Sequence, residues 1–129
     1  MKCDYRVIAV TPAGRRRYLR LLARYLLQAR PVLDEWHLWA NTSNDQDRLY
    51  MLQLAEAYPD FVRVIPNRVA YDGNSSIHAF FEHCVAADAV YVRFDDDICY
   101  IEPGAIDRLV QFRLDNRRYF LVTANIVNN

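Results

Sequence analysis

Lysine is almost absent from this chain, long apolar runs are missing, and the few cysteines fall in no metal-binding spacing. Each absence excludes a class of protein. No apolar stretch approaches the ~20 residues needed to span a bilayer, and Met1 to Arg6 runs directly into a strand-like segment rather than a signal peptide. The cytoplasm is therefore the expected compartment, with no transmembrane segment. Cys3, Cys84 and Cys99 are odd in number and lack zinc spacing, so they read as reduced, mostly buried thiols rather than a disulfide framework. The 16 basic residues balance the 16 acidic ones, and nothing global points to nucleic acid or an acidic membrane. Of the basic residues only Lys2 is lysine; genomic bias explains this, although arginine is also the better fork for phosphate oxygens. There is no repeat, linker or low-complexity segment. What is present is 129 residues, 53% of them hydrophobic, enough for the core of one domain and little more.

Short β-branched or aromatic runs alternate with longer amphipathic ones, the signature of a mostly parallel sheet wrapped by helices. The pattern predicts a first strand over Tyr5 to Val10, a helix from about Arg15 to Ala29 carrying Leu19, Leu22 and Leu26, and a second strand from about Glu35 to Ala40. Asn41 to Asp45 supply turn and cap chemistry for a helix over about Gln46 to Ala57, followed by a third strand over Phe61 to Ile65. After a polar stretch, Ile77, Phe80, Phe81, Cys84 and Val85 fall at the spacing of a third α-helix. A fourth strand, a helix opened by Pro103 with Ile106, Leu109 and Val110 facing inward, and a last strand over Tyr119 to Val127 complete the expectation. The expected fold class is α/β, a three-layer Rossmann-like sandwich.

The fourth strand, Val90 to Phe94, leads straight into Asp95, Asp96 and Asp97. Three adjacent carboxylates raise one another's pKa unless something positive neutralises them. A hard cation, Mg²⁺ or Mn²⁺, suits such a cluster, because it takes one or two carboxylates and completes its shell with water and substrate phosphates. In an open α/β sheet the ligand crevice lies outside the carboxyl ends of the strands. Those ends carry Thr11, Pro12, Ala13 and Gly14, then Asn41 to Asp45, then Pro66 to Arg68, then the acidic triplet. Arg15, Arg16 and Arg17 occupy the first turn of the first helix, where the macrodipole favours acidic residues; a phosphate there would relieve the repulsion. Arg15 is the better candidate for that role. Arg16 and Arg17 are as well explained by exposure to solvent.

The order VTPAGRRRYL, LWANTSND and YVRFDDDI resembles the nucleotide-diphospho-sugar-binding half of GT-A fold glycosyltransferases, in which an acidic DxD motif after the fourth strand holds Mn²⁺ or Mg²⁺ against the donor diphosphate. The resemblance implies a UDP- or GDP-sugar donor and an unknown acceptor, and it allows a homo-oligomer. It places Thr11, Pro12, Ala13 and Gly14 at the nucleoside and Arg15 near the nucleotide. Asp97 becomes the leading metal ligand, Asp95 reaches the ribose or the metal, and Asp96 takes either role. Asn41 stands where family members often carry an acidic residue against the base. Arg68 becomes a partner for base or diphosphate, while Tyr71 and Asn74 line the donor site; a Tyr-Asp-Gly turn with an Asn or Ser cap explains the last two nearly as well. Arg93 reads as a structural partner of the triplet.

The general base that inverting members need comes, in the family, from an acceptor-binding half beyond the fifth strand. The chain is accordingly expected to be a donor-binding module or a fragment of a longer enzyme. His37 alternates with Trp36 and Leu38 in a strand, and His78 and His83 flank a helical stripe, so all three read as structural or solvated. A module that binds nucleotide or metal without turnover is the principal alternative. Haloacid-dehalogenase phosphatases also use Asp-x-Asp, but on the first strand. Phospho-receiver domains need a lysine after the fifth strand, and a calcium loop needs an oxygen ligand and a glycine where Cys99 and Tyr100 stand.

Overall fold

The computed structural model describes residues 4–125. Four parallel strands form one sheet: β1 (Arg6–Ala13), β2 (Glu35–Ala40), β3 (Val62–Pro66) and β4 (Ala89–Arg93), in the order β3-β2-β1-β4. They alternate with the helices α1 (Arg16–Gln28) and α2 (Asp45–Ala57), an 11-residue 3-10 helix (Gly73–His83) and α3 (Ala105–Asp115). The architecture is α/β with an all-parallel sheet, and it is Rossmann-like.

Alternation along the strands sorts the side chains onto two faces. Val7, Ala9, Trp36, Leu38, Val62 and Val92 form a core with Leu19, Leu22 and Leu26 of α1, Met51 and Leu54 of α2, and Ile106 and Val110 of α3. The apolar residues of α1 recur every three or four positions, so one stripe of the helix is buried. Asn44 caps α2 by accepting the Asp47 backbone N–H at 3.0 Å. On the opposite face Ile8, Val10 and Trp39 meet Phe80 of the 3-10 helix, whose ring stacks on Trp39 at 5.3 Å. The layer covering this second face is that short helix, a thinner cover than the expected third layer of α-helices.

Four expectations are corrected. β1 runs three residues beyond Val10, because Thr11, Pro12 and Ala13 remain in register with Leu38, Trp39 and Ala40 of β2. The segment Gly73–His83 is a 3-10 helix with three residues per turn, not an α-helix, so Phe81 is exposed instead of joining a buried stripe, and Val85 lies beyond the helix end and is exposed. The last strand does not form over Tyr119 to Asn125, while Ile126 and Val127 lie outside the described residues. The Tyr119 N–H closes a turn on Asn116, and Phe120 is 98% exposed; a β-prone run without a ladder partner gains nothing from being extended. Cys99 is exposed rather than buried, and Cys84 is half-buried. Among the described residues no helix is long and apolar enough to cross a membrane.

The order β3-β2-β1-β4 reverses direction between β1 and β4. In doubly wound sheets a crevice opens at that reversal, outside the strand ends. A proline is accommodated there without loss. The carbonyls of Val7 and Ala13 face β2, accepting from Asp34 and Asn41, whereas the carbonyl of Val10 faces β4 and accepts from Phe94. Pro12, two residues on, therefore faces the β4 side at a level β4 has already passed, since the β1–β4 register ends at Val10 and Arg93. Its missing N–H costs the ladder nothing.

Candidate functional site

A cleft of about 810 Å³ lies at this reversal. Its walls are the β1–α1 turn with Pro12, Gly14 and Arg15, the β4 exit with Arg93 and Asp95 to Asp97, and the exit of β2 with Asn41. The fourth wall is Tyr71 and the 3-10 helix, which contributes Asn74, His78 and Phe81.

The acidic triplet divides its work. Asp96 turns inward, with only 7% of its side chain exposed. One of its oxygens accepts the backbone N–H groups of Gly14 at 3.2 Å and Arg15 at 3.1 Å, and Arg15 Nε at 3.3 Å. The other accepts Arg15 Nη2 at 2.5 Å. Asp96 thus supplies the anion that the N-terminus of α1 attracts, and Asp47 takes the next N–H, that of Arg16, at 3.2 Å. Arg15 and Arg16 of the arginine-rich first turn thus face carboxylates from other segments, while Arg17 donates to the Tyr18 hydroxyl at 3.1 Å. The hydrogen bond to Asp96 holds the Arg15 guanidinium pKa above its ordinary value.

Asp95 and Asp97 differ from Asp96 in being open, with 60% and 53% of their side chains exposed. Asp95 pairs with Arg93 at 3.1 Å, as the sequence reading of Arg93 expects, and Asp97 lies 3.4 Å from Arg15. Pairs this exposed are worth little and yield readily to a stronger partner. Three carboxylates face two guanidinium groups, leaving one negative charge at the cleft floor. Among the described residues no three His, Cys, Asp or Glu side chains gather around a single point for a metal ion. Two open carboxylates nevertheless suit a hard cation that draws its other ligands from water and phosphate oxygens.

Gly14 is required by a close approach. A Cβ there would stand 2.7 Å from the carbonyl oxygen of Asn41, so the β1–α1 turn can press against the β2 exit only without a side chain. Asn41 in turn ties three segments together. Its Nδ2 donates to the carbonyl of Gly73 at 2.9 Å, and its Oδ1 accepts from Ser76 Oγ at 2.6 Å and Asn67 Nδ2 at 3.3 Å. This hub fastens the 3-10 helix to the end of the sheet.

Of the residues singled out in the sequence, Pro12, Gly14, Arg15, Asn41, Tyr71 and Asn74 are brought together with all three aspartates. Thr11 and Ala13 are fully buried; the Thr11 hydroxyl accepts Trp36 Nε1 at 3.0 Å and is used inside the core. Arg68 is not among the cleft-lining residues and pairs with Glu82 at 2.8 Å on the surface. Strand alternation accounts for Thr11 and Ala13: in β1 the odd positions face the α1 side and the even positions do not. His78, which the sequence reads as structural or solvated, and Phe81, which it reads as part of an apolar helical stripe, both line the cleft. The signal for them is a period of three, which places Ser75, His78 and Phe81 in one exposed row. No family model, no curated protein and no solved structure matches the chain.

Proposed function

We propose that this chain binds a nucleotide-diphospho-sugar and serves as the donor-binding part of a metal-dependent glycosyltransferase of the GT-A type. One observation carries the reading: the acidic triplet leaves β4 at the sheet's reversal point, in one cleft with Gly14 and Arg15 of the β1–α1 turn. Anionic ligands of open parallel sheets bind at such points. Asp95 and Asp97 would hold Mg²⁺ or Mn²⁺, while Arg15 and Arg93 would face the diphosphate oxygens. Bound there, the cation supplies Lewis-acid stabilisation of the charge that develops on the departing diphosphate. Asp96 keeps the β1–α1 turn and the Arg15 fork in place, and Asn41 and Tyr71 offer polar and aromatic surface to the nucleoside.

The test is calorimetric titration of UDP, GDP, UDP-glucose and GDP-mannose with and without Mn²⁺, repeated with Asp97→Ala. Metal-dependent binding that the variant loses supports the proposal. Hydrolysis of an aryl phosphate without any nucleotide binding would sink it in favour of a phosphatase. Tight donor binding without turnover would leave a binding module.

A further inference from the structure

We propose that His78 is the proton acceptor of this cleft, a catalytic base set in place by the 3-10 helix; the proposal rests on the donor-binding reading above. His78 lines the same cleft as Arg15 and Asp95 to Asp97. With three residues per turn its ring lies over Ser75, and Nδ1 meets the Ser75 carbonyl oxygen at 2.5 Å. A carbonyl oxygen only accepts, so the neutral ring carries its proton on Nδ1 and presents the lone pair of Nε2. Among the described residues no hydrogen bond or ion pair engages Nε2.

The other candidates are already committed. Asp95 is paired with Arg93, Asp96 with Arg15 and two backbone N–H groups, and Asp97 stands beside Arg15. In the donor-binding reading Asp95 and Asp97 are taken by the cation, and Asp96 already accepts from the Gly14 and Arg15 backbone and the Arg15 guanidinium. His37 is bound to Glu35 at 2.7 Å with 13% of its side chain exposed, His83 lies 3.7 Å from Glu82, and neither is among the cleft-lining residues. Phe81 stands one turn after His78 and is half-exposed, giving an acceptor an apolar surface beside the base.

In the reaction the acceptor hydroxyl donates its proton to His78 Nε2 while its oxygen bonds to the anomeric carbon. The bond from that carbon to the diphosphate oxygen breaks, and its electron pair leaves with the nucleoside diphosphate. With water as acceptor the same step is donor hydrolysis. Loss of a positioned base lowers such a step by about 10²–10⁴-fold.

The experiment uses the whole chain with Mn²⁺ and UDP-glucose or GDP-mannose, reading donor binding by calorimetry and nucleoside diphosphate release with water as acceptor. His78→Ala and His78→Gln are compared with wild type, and circular dichroism verifies their folding; the glutamine retains a donor for Ser75 but accepts no proton at neutral pH. Both variants are expected to bind donor within about twofold of wild type and to release product at least ~100-fold more slowly, with millimolar imidazole restoring part of the rate to His78→Ala. Unchanged release in the folded variants overturns the proposal, as does donor binding by wild type with no release at all. If binding falls in step with release, His78 holds the donor and is not the base. Absence of nucleotide binding by wild type overturns the donor-binding reading itself, and the base falls with it.

Discussion

Asp96 gives the sharpest test of how the site is held. Replacing it with alanine removes the acceptor of two backbone N–H groups, at 3.2 and 3.1 Å, and the partner of the Arg15 guanidinium. An unsatisfied buried donor costs about 1–3 kcal/mol, and the open cleft beside these two brings water near, so about 1 kcal/mol each is appropriate. The ion pair is discounted to about 1 kcal/mol, because 52% of the Arg15 side chain is exposed. The expected loss is about 3 kcal/mol, a large part of the ~5–15 kcal/mol that stabilises a typical domain. With a urea slope of about 1.5 kcal/mol per M, the midpoint falls by about 2 M. Asp96→Asn keeps an oxygen for the backbone and loses only the charge, so it should cost about half as much. Asp97→Ala, at an exposed position, should stay within about 0.5 kcal/mol of wild type. Urea unfolding of the three variants is the assay. An alanine variant at position 96 as stable as wild type, or the same loss at both positions, would refute the division of labour within the triplet.

Gly14→Ala should destabilise by about 1–3 kcal/mol in the same assay, because its Cβ would meet backbone, not a yielding side chain, 2.7 Å away. Phe80→Ala should cost about 3–4 kcal/mol and alter tryptophan emission, since the 1%-exposed ring stacks on Trp39; an unchanged spectrum would contradict the stacking. For Glu35, burial raises the carboxyl pKa, but the hydrogen bond to His37 and the charges of Arg63, His37 and Arg6 outweigh it and leave the pKa lowered. Its contribution is therefore present above the unfolded value and lost as pH falls through the folded one. Glu35→Gln should flatten the acid limb of the stability–pH curve below about pH 4.5, and an unaltered limb would contradict this.

Much of the sheet was legible because its signals are local. The stripe of Leu19, Leu22 and Leu26 and the turn and cap chemistry of Asn41 to Asp45 placed α1 and α2 to within a residue or so. The acidic triplet follows β4 directly, so its place at the carboxyl end of the sheet is a local property too. Period-based reading failed where a different period ruled. Ile77, Phe80 and Phe81 fit an α-helix on paper, and the Asn41 hub with its bonds to Gly73 and Ser76 holds the segment in a 3-10 helix instead. Tyr119 to Val127 had strand propensity, yet its described part found no ladder.

What the sequence alone determined is the kind of fold and the chemistry at its end: alternating strands and helices, a Gly14–Arg15 turn, and three consecutive carboxylates. Those follow from side-chain period and residue type, which are properties of neighbours along the chain. Which carboxylate faces inward was decided only by tertiary structure. The strand order brings β4 beside β1, so Asp96 reaches backbone N–H groups more than 80 residues earlier in the chain. Pairing across such a distance leaves no periodic mark, because it depends on the sheet's reversal point and not on any local pattern.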